Sequence, residues 1–122
     1  MRYQIDGDAR IVEFDTTGVS AEAANEGFLA LIQERPDLWH WDWVVAINQV
    51  AEGTTVGVIG RLADGYAHLD KTDAITVMVS PDANLQFWAK VLEFQYPGRR
   101  RHVVPQRADA LSLIAERRGA PI

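Results

Sequence analysis

The spacing of apolar positions changes from segment to segment, and the changes predict one hairpin followed by alternating helices and strands. Residues 2–5 and 9–14 read as short strands joined by Asp6-Gly7-Asp8, and Asp-Gly between strand-like runs is a hairpin signal. Ser20 reads as a helix N-cap with Glu22 in the first turn. Ala21, Ala24, Phe28, Leu31 and Ile32 then fall on one helical stripe, and Pro36 closes the helix. Residues 43–47, Trp-Val-Val-Ala-Ile, form a continuous apolar run that suits a strand buried on both faces.

Val58, Leu62 and Tyr66, flanked by Ile59 and Ala63, have helical spacing and predict a helix over 56–67. Gly57 and Gly60 oppose it by roughly 1 kcal/mol each. Residues 74–79 read as a second buried strand. Ser80-Pro81-Asp82 supplies an N-cap, a proline for the first turn and an acid, so a helix is expected over 82–94, ending before Pro97-Gly98. A short strand over 101–104 and a helix over 107–118 complete the chain, the helix with Leu111, Ile114 and Ala115 inward and Arg117-Arg118 at its C-terminal end. The order is ββαβαβαβα. It predicts a single α/β domain over 1–122 with a mostly parallel sheet and an antiparallel first strand.

Composition narrows the function classes. The 122 residues include no cysteine, which excludes disulfides, thiol nucleophiles and cysteine-based zinc sites. Neither an apolar leader nor an apolar run of about 18 residues is visible, so no membrane span is expected and the expected location is cytoplasmic. The net charge of −5 divides unevenly: residues 1–98 carry −9 and residues 99–122 carry +4. An acidic bulk argues against general nucleic-acid binding.

The order of elements and the length resemble the STAS domain of the sporulation anti-sigma-factor antagonists, the SpoIIAA-like fold. The resemblance spans essentially the whole chain and lies in topology more than in a motif. In that family a partner kinase phosphorylates a serine in the loop after the third strand, at the start of the second helix. The matching segment here holds Gly53, Thr54, Thr55 and Gly57. The resemblance implies a regulatory loop at these four residues, and a glycine-rich strand–helix turn is itself a place for an anion. The family's Asp-Ser pair is absent, with Gly53 in the place of the acid, so unmodified Thr54 and Thr55 hydroxyls at the helix start are expected. A lipid-carrying class of related fold is a more distant resemblance and implies a small apolar ligand.

Candidate chemistry is sparse. His40, His68 and His102 have no metal-ligand spacing, and no Gly-x-Ser-x-Gly is present. No Gly-Lys-Ser/Thr follows the glycines of 53–60. Neither a metal nor a cofactor is expected, and no catalytic residue can be named. In Trp39-His40-Trp41-Asp42-Trp43 the indoles share one face of an extended segment. They read either as a partner or ligand surface at Trp39 and Trp41, or as rings closing the edge of the core. Arg99-Arg100-Arg101 reads either as a site for an anionic partner or lipid headgroup or, as the favoured reading, as a solvated turn that blunts an edge strand. The helix over 82–94 carries two apolar stripes. Leu85, Trp88, Ala89 and Leu92 form one, and Phe87, Val91 and Phe94 form the other. A helix on a sheet needs one such stripe, so the second must meet a neighbouring helix, a ligand or another chain. The expected function is a non-catalytic interaction or regulatory domain that binds an unknown protein partner or itself as a homodimer. The alternative is a carrier or sensor of a small apolar or anionic ligand.

Overall fold

The computed structural model describes residues 1–47, 60, 64–82, 84–95 and 97–119. Strands β1 (Arg2–Asp6), β2 (Ile11–Asp15), β3 (Asp42–Ala46), β4 (Ile75–Val79) and β5 (Arg100–Val104) form one sheet. Their spatial order is the chain order; β1 is antiparallel to β2 and all later pairs are parallel. Helices α1 (Ala21–Glu34), α2 (Asn84–Gln95) and α3 (Arg107–Arg117) surround the sheet, with a short 3-10 helix at Pro36–His40. Among the described residues this is an α/β architecture with a five-stranded mixed sheet, as the apolar periodicity predicts.

Register explains the two-sided burial. Val12 aligns with Trp43, and Phe14 with Val45, so these side chains share one face. They pack with Leu31 and Ile32 of α1 and with Leu38 and Trp39 of the 3-10 helix. Met78 lies farther along that face, under Leu85 and Ala89 of α2. The opposite face carries Ile11, Val44, Ile75 and Val77, and α3 covers it with Ala110 and Ile114. The unbroken apolar run of β3 follows, because alternate residues serve different cores. All five residues of β1 are exposed.

Local signals set most of the ends. Ser20 Oγ accepts from the Ala23 N–H at 3.1 Å, the expected N-cap. The hairpin turn is longer than Asp-Gly alone predicts. The Asp6 carboxylate accepts from the N–H groups of Asp8 and Ala9, and Arg10 closes the turn with a left-handed φ of 53°. α2 starts two residues late. Ser80 Oγ accepts from Asp82 N–H, and Asp82 Oδ1 from Asn84 N–H, so the cap function passes to the acid. Most of the helix predicted over 56–67 lies outside the described residues; Gly60 and Asp64 are helical within it.

Candidate functional site

Trp39 and Trp41 fit the second of their two readings, rings that close the edge of the core. Trp39 is 2% exposed and Trp41 8%, and both belong to the core on the α1 side. The cause is local. Pro36–His40 turns as a 3-10 helix instead of running extended, which tips Trp39 inward. Its indole N–H donates to the Asp70 carbonyl at 2.7 Å, and that of Trp43 to the Leu38 carbonyl at 2.9 Å. Buried indoles take such partners. Tyr66 stacks on Trp39 with centroids 5.7 Å apart, and its hydroxyl donates to Asn25 Oδ1. Burial pushes the Tyr66 phenol above its usual range.

The basic triplet is not a solvated turn. Arg99 is 1% exposed and Arg101 is buried, while Arg100 alone is exposed. The Arg99 guanidinium lies 4.9 Å from the Trp39 ring centroid and 4.6 Å from that of Trp43. It donates to Thr76 Oγ1 at 2.7 Å, to the Trp41 carbonyl at 2.8 Å, to the Ile75 carbonyl at 3.0 Å and to the Trp39 carbonyl. A planar five-donor fork can serve several carbonyls while its faces meet aromatic rings. Arg99 thus ties the 3-10 helix to β4. The edge of β5 has its own guard, because Glu93 of α2 accepts from the Arg101 N–H at 3.1 Å.

The second stripe of α2 faces outward. Leu85 and Ala89 are buried against Met78, whereas Phe87 is 59% exposed and Phe94 is 88% exposed, with Val91 half-buried between them. The structure brings Phe87, Val91 and Phe94 onto one helix face. Trp39 and Trp41 are not part of it. Gly53, Thr54, Thr55 and Gly57 lie outside the described residues.

An open cleft of about 480 Å³ lies at the end of the sheet where β3 and β4 begin, and Arg10, His40, Asp42, Asp73, Arg117 and Arg118 line it. Arg118 forms its floor. Its guanidinium pairs with Asp42 Oδ2 at 2.8 Å and donates to the Ala9 and Arg10 carbonyls. Asp42 Oδ1 accepts from the Ile75 N–H at 2.8 Å. His40 Nδ1 meets Thr72 Oγ1 at 3.1 Å. Sequence reasoning missed this cleft because its residues come from four separated segments. The local clues are an arginine in a turn position that favours glycine, and paired arginines ending α3.

Among the described residues no group of three metal-ligating side chains converges, and no helix is long and apolar enough to cross a membrane. No family model matches the chain, and no match is found among curated proteins or solved structures.

Proposed function

We propose that the chain is a SpoIIAA-like (STAS) interaction domain without catalytic activity, and that it self-associates through the outer face of α2. The exposure of Phe87 and Phe94 on one helix face carries this reading. Isolated exposed apolar residues are common, but two aromatic rings seven positions apart on one helix form a contiguous patch. Antiparallel pairing of two copies of α2, centred between Lys90 and Val91, sets Phe87 of one copy against Phe94 of the other. The antiparallel first strand and the parallel remainder support the family assignment. A phospho-switch at Thr54 or Thr55 is not needed for this function.

Light scattering across a concentration series tests the proposal. The wild-type mass should rise toward that of a dimer. The double variant Phe87→Glu, Phe94→Glu should stay a folded monomer with an unchanged circular dichroism spectrum. A wild-type chain that remains monomeric at high concentration refutes self-association.

A further inference from the structure

We infer that the cleft at the start of β3 and β4 binds a small phosphate monoester through Arg10, Arg117 and His40. The lining divides into spent and available groups. Arg118 is committed to Asp42 and to two turn carbonyls, so it is a structural floor. Among the described residues Arg117 is held only by a long contact to the Asp73 carbonyl at 3.4 Å. Arg10 has its guanidinium 5.8 Å from the Trp41 ring centroid and is otherwise exposed to the cleft. His40 engages Thr72 through Nδ1, and Nε2 is the other ring nitrogen it can offer.

The Arg10 backbone supplies a second, independent observation. It is the one non-glycine residue with positive φ among those described, at 53°. A left-handed conformation is strained for a side chain such as arginine and unstrained for glycine. Such strain concentrates at functional positions, and here it sets a guanidinium at the rim of a cleft.

The direction of the donors selects the ligand. Arg10 comes from the hairpin turn, Arg117 from the end of α3 and His40 from the 3-10 helix. A carboxylate is satisfied by one bidentate arginine, whereas a tetrahedral phosphate accepts from several directions at once. The volume of about 480 Å³ exceeds that of a phosphate group and leaves room for a small organic body. Asp73 is the opposing charge, since Asp42 is already neutralised by Arg118.

The test is a titration of isotopically labelled protein with glycerol phosphate, followed by NMR at constant ionic strength and pH 7.5. Inorganic phosphate and acetate serve as parallel arms. Saturable shifts are expected at the Trp41 indole, at the Arg10 and Arg117 Nε–H groups and at the His40 ring, with glycerol phosphate binding more tightly than phosphate. Arg117→Ala should weaken binding roughly tenfold, as the loss of a charge-assisted contact does. Asp73→Asn should tighten it. Arg10→Gly should weaken binding while raising the melting temperature, because it removes the strained side chain. Arg35→Ala is the control: Arg35 also lies by the Trp41 ring, at 5.7 Å, but outside the cleft lining. It should bind like the wild type. Linear shifts without saturation, equal responses to acetate, tighter binding of inorganic phosphate than of glycerol phosphate, or full affinity in both Arg10→Gly and Arg117→Ala would each overturn the inference.

Discussion

Replacing Arg99 by lysine keeps one positive charge inside the tryptophan cage and removes the planar fork. The wild-type guanidinium serves Thr76 Oγ1 and the carbonyls of Trp39, Trp41 and Ile75 from three nitrogens. A lysine ammonium has three donors on one nitrogen and cannot reach acceptors on both sides of the cage. If two buried carbonyls lose their partner, each costs about 1–3 kcal/mol. Weaker contact with the Trp39 and Trp43 faces adds to this. The expected loss is about 3 kcal/mol. That is a large share of a stability of about 5–15 kcal/mol, and for a chain of this size it lowers the melting temperature by about 10 °C. Arg99→Met fills similar space and donates nothing, so more of these neutral acceptors lose their donor and it should lose more, about 4–5 kcal/mol. Urea unfolding followed by tryptophan fluorescence measures both, since Trp39 and Trp43 line the site. A lysine variant within about 0.5 kcal/mol of wild type would refute the reasoning, because ordinary surface substitutions fall in that range.

Two further outcomes follow from local geometry. Ser20→Ala removes the side-chain acceptor for the Ala23 N–H and should cost about 1 kcal/mol in the same assay, with Ser20→Gly costing less. Burial, reinforced by Arg117, holds the His102 imidazole below its usual proton affinity, and its Nε2 is buried without a described partner. The unfolded chain therefore binds this proton at higher pH than the folded one. Stability should fall as pH drops from the ordinary histidine value of 6.5 toward the lower folded value. His102→Gln should flatten the dependence of the urea midpoint on pH between about 5 and 7, and an unchanged slope would count against it.

Periodicity exposes the strands and helices because each is a local pattern. The Trp43–Ala46 stretch announces burial on both faces, and its alternate residues do enter separate cores. The two stripes of α2 are equally legible, since helical spacing alone separates Leu85 and Ala89 from Phe87 and Phe94. Arg99 is the opposite case. A charged triplet after Pro97-Gly98 reads as solvated, and its acceptors lie 23 to 60 positions away. No local rule anticipates a cation satisfied by carbonyls and indole faces. The tryptophan segment fails for a related reason. Alternation assumes an extended chain, and the 3-10 helix closing on Trp39 breaks that assumption. The cleft is the least legible feature, because it exists only once the hairpin turn, the starts of β3 and β4 and the end of α3 have met.

Neighbours in the sheet are also neighbours in the chain. During synthesis each strand can dock on the edge left by the one before it, so the sheet grows in the order of translation. Among the described residues the face carrying Ile11, Val44, Ile75 and Val77 gains its cover when α3 arrives. Until then a nascent chain halted after Val104 presents a formed sheet with one oily side bare, the kind of surface that holdase chaperones grip. The final step is long-range. Arg118, the C-cap of α3, reaches back 109 positions to the Ala9 carbonyl and 108 to that of Arg10, clasping the hairpin turn to the end of the helix.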